Sequence, residues 1–366
     1  MQIELAATVP LSGLLLGLVI GAAARWAQFC TLGAIADAVI VQDRRRLRAW
    51  ILAIAIALLG SQGLHMLGWV DLGQSIYLGG GFGWLGAILG GLLFGLGMAL
   101  VGTCGFGTLV RLGGGDLRAL VDMAILGIFA YLTLSGPLAY LREYGIEATD
   151  LALPGLRSPS LVDLAAAIAG QDVENLRPLL VAVLALALLV YCLNDPSFRR
   201  ARRDIAAAVL IGFAIALAWL ATGSLIQDPF DPRPPVSLTF VKPLGDGLLY
   251  LMLMSGMDLT FGIASVAGVL AGAHLVARAK GEWHREGFDG DREMTRHFAG
   301  SALMGVGGTL ALGCTIGQGI SGLSTLAMSA PLAFVAIFIG AAFGLRYLEE
   351  GTLAGALKIL ARRLPS

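Results

Sequence analysis

The sequence predicts an all-α integral membrane protein, one transmembrane domain built from two related halves. Three observations carry this. Of 366 residues, 57% are hydrophobic and 14% charged, against about 25% charged in ordinary soluble domains; mean hydropathy is +0.80. Several runs approach the roughly 20 apolar residues a helix needs to cross a bilayer. Third, the segments Gly90–Leu112 and Gly300–Gly322 superpose at an offset of 210 positions, aligning Gly90/Gly300, Leu93/Leu303, Gly95/Gly305, Gly97/Gly307, Leu100/Leu310, Cys104/Cys314 and Gly107/Gly317. In both copies a glycine-punctuated apolar helix runs uncharged into one thiol and then meets glycine and threonine, which reads as a helix broken inside the membrane.

Along the chain we expect about nine spans, near 6–24, 50–69, 81–103, 119–140, 178–193, 205–226, 251–277, 298–313 and 330–347, with shorter or re-entrant helices between them. The amino terminus, Met1-Gln2-Ile3-Glu4, lacks the basic region of a signal peptide, so the first run is a retained helix. The segment 142–177 holds Pro154, Pro159 and a short apolar stretch, Leu161–Ala169, and reads as an external loop with a surface helix. The proline-rich segment 227–243 reads as an extended external linker between the halves. The most polar stretch, 280–296, reads as a solvated cytoplasmic loop.

Basic clusters fix the orientation, because cytoplasmic loops carry the excess of Lys and Arg. Arg44–Arg48, Phe198–Arg203, Arg278–Arg296 and Arg362–Arg363 are placed inside, and the less basic loops 71–79, 142–177 and 227–242 outside. The amino terminus is then periplasmic and the carboxyl terminus cytoplasmic. In this arrangement the helix entering Cys104 runs inward and the one entering Cys314 runs outward, an inverted-topology repeat with halves 1–177 and 178–350 and a cytoplasmic tail, 351–366. Such repeats place the substrate near the bilayer midplane, where interrupted helices meet.

Cys104 and Cys314 are therefore the first candidate site residues. Irregular backbone at membrane depth persists only where it is buried in protein or lines a cavity, and the glycines after each thiol (Gly105, Gly107; Gly317, Gly319) free backbone N–H groups to face that cavity. A helix amino terminus with free N–H groups attracts anions. Cys30, just past the first span, places a third thiol near the cytoplasmic mouth; the nearest similar stretch of the second half, Trp219–Ser224, offers hydroxyls. Cys192 lacks glycine neighbours and reads as packing. Gly86/Gly90, Gly91/Gly95 and Gly268/Gly272 have the spacing that lets membrane helices pack closely. Arg25, Asp37, Asp122, Asp246 and Asp258 read as charges at span ends, solvated or capping, with Arg25 and Asp37 able to pair at the inner mouth, and His65 as interfacial. A net charge of zero gives no sign of a nucleic-acid partner. Four deep cysteines make no disulfide framework, no CxxC zinc spacing occurs, and neither a Walker-type phosphate loop nor a cofactor motif is present.

Phe29-Cys30, Gly102-Thr103-Cys104-Gly105-Phe106-Gly107-Thr108-Leu109 and Leu312-Gly313-Cys314-Thr315-Ile316-Gly317-Gln318-Gly319 resemble the YeeE/YedE family of bacterial inner-membrane proteins. The resemblance covers nearly the whole chain. It implies an hourglass of inverted repeats that takes up thiosulfate from the periplasm. Cys314, Cys104 and Cys30 would pass it inward, helped by Gly105, Gly107, Thr108, Thr315, Gly317 and Gln318, and a TusA-like sulfur carrier would work on the cytoplasmic side. Thr103, where family members often have Gly, and the approach Arg25-Trp26-Ala27-Gln28-Phe29 depart from the family pattern. Other branches are linked to selenium, so a selenium or other sulfur compound is the alternative cargo. A membrane sulfurtransferase or thiol-redox protein working through Cys30, and a scaffold docking a sulfur carrier through 278–296, are the alternatives from other classes.

Overall fold

The computed structural model describes residues 2–225 and 234–351, and all its extended regular elements are helical. In chain order they are α1 (Gln2–Ala27), α2 (Thr31–Ala36, continued by a π turn Asp37–Val41), α3 (Arg45–Met66), α4 (Trp84–Val101), α5 (Gly105–Gly113), α6 (Arg118–Leu134), α7 (Leu138–Leu141), α8 (Leu161–Ala169), α9 (Val173–Leu193), α10 (Pro196–Arg200), α11 (Arg202–Leu220), α12 (Lys242–Leu253), α13 (Phe261–Ala279), α14 (Asp291–Leu310) and α15 (Ser329–Glu350). The short helix expected at Leu161–Ala169 forms with those bounds, opened by Ser160, whose hydroxyl accepts the Asp163 amide. Of the expected tail, residues 352–366 lie outside the described residues.

Seven helical stretches among the described residues are long and apolar enough to cross a membrane: Thr8–Val41, Arg45–Met66, Trp84–Gly113, Val173–Leu193, Arg202–Ser224, Phe261–Ala279 and Ser329–Glu350. An eighth arises if Arg118–Leu134 and Leu138–Thr149, bent by 58°, count as one; Ser135-Gly136-Pro137 makes the bend, since proline cannot continue a helix. The segment expected at 298–313 is the apolar end of α14, whose first turns carry Asp291, Arg292, Glu293 and Arg296 and make the whole helix too polar to meet the same test. The expected continuous span 251–277 is interrupted. Helix α12 ends at Leu253, and α13 starts afresh at Phe261 behind Thr260, whose hydroxyl accepts the Ile263 amide at 3.3 Å.

Glycines set the centre of the fold. A Cβ added to Gly90 would lie 2.6 Å from Gly307 O, and one added to Gly97 2.4 Å from Gly300 O. These contacts run in opposite order along α4 and α14, so the two helices cross antiparallel. Gly90 and Gly300 are repeat mates, as are Gly97 and Gly307, so exchanging the copies returns the same contacts. The flanking helices follow: a Cβ on Gly95 would meet Ile337 O of α15 at 2.2 Å, and one on Gly305 would meet Leu126 O of α6 at 2.5 Å. Here the offset between matching partners is one residue longer than 210, and the π turn Gly317–Gly322 absorbs it, as a π-bulge inserts one residue into a helix. With lipid as solvent, such backbone-to-backbone proximity, rather than hydrophobic burial, holds helices together.

Charges expected at span ends prove structural. Asp122 (2% exposed) on α6 accepts from Ser301 Oγ at 2.9 Å and contacts His297 Nδ1 at 3.0 Å, both on α14. One turn away, Arg118 pairs with Glu293 at 3.1 Å and also with Asp116 and Glu286. Asp246 accepts from Tyr131 and Lys242. The expected pairing of Arg25 with Asp37 does not form: Arg25 meets Glu282 at 3.2 Å and Asp37 meets Arg46 at 3.4 Å. The segment 280–296 is correspondingly no free loop. Residues 291–296 already belong to α14, and Leu117 N–H bonds to Glu286 O at 2.9 Å.

Basic residues bond across to neighbouring segments: Arg48 donates to Tyr191 O at 2.7 Å, Lys280 to Trp26 O at 2.9 Å and Arg346 to Val39 O at 3.2 Å. The segment 142–177, expected outside, meets Phe82 through Leu151 and Gln62 of α3 through Arg177.

Three substitutions test this packing by thermal unfolding in detergent. Gly307→Ala lowers stability sharply, because its Cβ would sit 2.5 Å from Phe94 N, whereas Gly247→Ala in α12, with nothing within 4 Å, is neutral or stabilising. Asp122→Ala costs about 3 kcal/mol by leaving two buried donors unpaired.

Candidate functional site

Three helices break in one way. Helix α1 ends on Gln28 (φ 54°), α4 on Gly102 (φ 83°), and the stretch after α14 turns at Leu312 (φ 58°). Each left-handed residue stands two positions before a thiol: Cys30, Cys104 and Cys314. Cys30 and Cys104 are extended and open α2 and α5, while Cys314 precedes the turn into Gly317–Gly322. A left-handed residue closes a helix by turning the chain back on itself. Glycine does this freely, but Gln28 and Leu312 carry a steric cost of about 1–2 kcal/mol each, which the surrounding packing must hold.

The broken ends satisfy their own backbone. Gly107 N–H donates to Cys104 Sγ at 3.4 Å, and Gly317 N–H to Cys314 Sγ at the same distance. Thr108 N–H bonds to Cys104 O at 2.8 Å and Gln318 N–H to Cys314 O at 2.7 Å. Each thiol thus acts as the cap of the turn it starts. On the other side of each break, Arg111 Nη2 donates to Gly102 O at 2.7 Å and Gln318 Nε2 to Ala311 O. The buried Gln318 Oε1 has no partner among the described residues. Gly107 and Gly317 admit no side chain: a Cβ would lie 2.0 Å from Thr103 Oγ1 at the first and 2.5 Å from Thr239 Oγ1 at the second. Gly105 has more room, with Leu126 Cδ1 3.3 Å from a Cβ there.

The breaks converge. Thr31, the residue after Cys30, places its hydroxyl 3.8 Å from Cys104 Sγ and donates to Thr315 Oγ1, next to Cys314, at 3.1 Å. One hydroxyl therefore links all three segments. Cys104 and Cys314 are buried, and Cys30 is half-buried; it lines a small cavity with Gln28, Arg46, Trp50 and Asp204. Thr108 and Thr315 are fully buried, the former bonded to Gly105 O at 2.6 Å. Cys192 lies apart, its Sγ donating to Arg48 O at 3.3 Å.

Two loops reach the site that sequence reasoning kept at the surface. Tyr77, from the expected external loop 71–79, is 5% exposed and donates to Gly317 O at 2.9 Å. The expected linker 227–243 is buried over part of its described portion. Leu238, Phe240 and Val241 are in the core, Thr239 stands against Gly317, and Phe240 packs on Phe106 at 5.1 Å; residues 226–233 lie outside the described residues. Thr239-Phe240, rather than Trp219–Ser224, thus stands beside Cys314 as Cys30-Thr31 stands beside Cys104. Trp219 instead donates to Ser324 Oγ at 3.2 Å. Composition hid this, because an apolar run too short to span looks like a linker.

The groups gathered at Cys104 and Cys314 are thiols, hydroxyls and backbone amides. Helix starts carry partial positive charge, and thiols and hydroxyls are weak, neutral donors.

Comparison with known proteins agrees with this chemistry. The chain is similar to the thiosulfate transporter TsuA of Escherichia coli (strain K12), 26% identical over 324 residues that span 85% of this chain and 86% of that protein. Residues 26–343, which include all three thiol-bearing breaks, match the sulphur transport family. A multi-pass helical membrane protein with this match belongs to that family, the YeeE/YedE sulphur transporters.

Proposed function

We propose that this protein carries thiosulfate inward across a bacterial inner membrane, along a line formed by Cys314, Cys104 and Cys30. The amino terminus is periplasmic and the carboxyl terminus cytoplasmic, and the two halves are an inverted-topology repeat. The antiparallel crossing of α4 and α14 supports the inverted arrangement of the halves, and the basic clusters of the sequence support the orientation. The observation that carries the reading is the Thr31 hydroxyl, which joins Cys104 to Thr315 and so brings three thiol-bearing helix starts to one place.

The chemistry suits the cargo. Conduction needs binding strong enough to select and weak enough to release. A guanidinium clamp would hold a divalent anion too firmly. Thiols offer S–H donors to a soft terminal sulfur, while the first amides of α5 and the Thr315 hydroxyl take the oxygens, and Thr108 holds the start of α5 through Gly105 O. Gly105, Gly107 and Gly317 allow close approach, and Gln318 braces the second break. Beyond Cys30 the anion passes to a TusA-like carrier on the cytoplasmic face. A second reading, sulfur transfer at Cys30, draws on its half-exposed thiol beside Arg46; a persulfide found on Cys30 by mass spectrometry would favour it.

Uptake of radiolabelled thiosulfate into cells lacking their own importers tests the proposal at matched membrane abundance. The parent accumulates label and Cys104→Ala falls to the level of empty cells. Cys104→Ser keeps the cap to Gly107 and hence the folded protein, yet transports poorly because its hydroxyl is a hard donor. Cys192→Ala matches the parent. A fully active Cys104→Ala sinks the thiol line. Thr31→Val, which removes the hydroxyl shared by Cys104 and Thr315, lowers uptake without loss of protein, as checked by the same assay.

A further inference from the structure

We propose that the indole N–H of Trp50 binds the oxygens of the transported anion on the stretch between Cys104 and Cys30. This rests on the reading of the protein as a thiosulfate importer. Trp50 is 1% exposed, and its Nε1 has no hydrogen-bond partner among the described residues. Buried donors are nearly always paired, and an indole N–H can only donate. A buried indole N–H with no partner among the described residues is suited to an acceptor that comes and goes.

Its placement names that acceptor. Trp50 is common to two small cavities. One is lined by Thr31, Ile35, Phe334 and Ile337, the other by Gln28, Cys30, Arg46 and Asp204. Thr31 is the residue that touches Cys104 and Thr315, so Trp50 lines cavities beside both Cys30 and the residue that reaches the central thiol. Its ring is fixed by stacking on Phe29 at 4.7 Å and by Gly319, where an added Cβ would lie 3.9 Å from Trp50 Cζ3. The tryptophan therefore touches the segments that carry Cys30 and Cys314. A neutral donor on an apolar wall holds oxyanion oxygens without the grip of a full charge, which satisfies the need for release. The thiols take the soft sulfur and the indole takes the oxygens.

Trp50→Phe removes the N–H and keeps an aromatic ring against Phe29. We expect a variant that accumulates like the parent and unfolds at the same or a higher temperature, since an unpaired buried donor has been deleted. Its KM for thiosulfate rises roughly 10- to 100-fold, the worth of one hydrogen bond to a charged ligand, and thiosulfate no longer raises its unfolding temperature in detergent. A parent-like KM with a parent-like thermal shift overturns this inference alone and leaves the proposed function standing. A variant that loses stability while its KM is unchanged makes Trp50 a packing residue and overturns it as well. A parent that takes up no thiosulfate overturns the proposed function and this inference with it. Should Trp50→Phe fail to accumulate, the parent labelled with 15N-indole tryptophan decides: thiosulfate must shift a buried indole N–H resonance, and six unmoved signals, one for each tryptophan, overturn the proposal.

Discussion

A helix that stops in apolar surroundings must hand its last carbonyls and first amides to something, because lipid offers them no partner. The centre of this protein answers that constraint three times. At the breaks before Cys104 and Cys314, side chains take the stranded groups. Arg111 covers Gly102 O, Gln318 covers Ala311 O, and the thiols accept the amides of Gly107 and Gly317. The cysteines are therefore part of the backbone's hydrogen-bond accounting before they are anything else. In the proposed function, capping and contact with the anion reside in the same sulfur atom, which would tie the site to the fold.

Holding the breaks in place requires helices closer than side chains normally allow. The crossing of α4 and α14 through Gly90, Gly97, Gly300 and Gly307 supplies the frame, and α15 and α6 lie on its two sides through Gly95 and Gly305. The polar ladder of Arg118 with Glu293 and of Asp122 with His297 and Ser301 locks α6 to α14 at one end. Since α6 follows the Cys104 helix and α14 leads into Cys314, the ladder joins the two thiol-bearing units directly. The strained left-handed Gln28 and Leu312 are tolerable because this frame is rigid. Comparable strain elsewhere in proteins clusters at functional positions.

A neutral site for a charged cargo follows from the same economy of means. Backbone amides and weak donors give a shallow attraction distributed over several groups, in keeping with a sulphur transporter that must let its anion go. Of the charges nearby, Arg46 pairs with Asp37 and Arg118 with Asp116, Glu286 and Glu293, whereas Arg111 is held by the carbonyl of Gly102. None of these pairs stands between Cys104 and Cys314.

The sequence by itself determined the class, the helical composition, the small-residue spacing that lets helices pack closely and the recurrence of a thiol with glycines. Those rest on local or periodic signals: apolar runs of spanning length, a thiol and glycines recurring at a fixed offset, and the small-residue spacing of Gly86/Gly90 and Gly91/Gly95. The tertiary structure alone decided which further residues join them. Tyr77 and Thr239 come from segments whose composition suggests surface loops, and Thr31 and Trp50 are brought to the thiols by packing between elements far apart in the chain. Gln28 and Leu312 carry no glycine to announce a left-handed turn, so the unity of the three breaks was invisible in the residues. Asp122 looked like an edge charge because its partner His297 lies 175 positions away. Local physics writes itself into composition and period, whereas a contact between distant segments depends on how two backbones approach, and no single stretch of sequence records that.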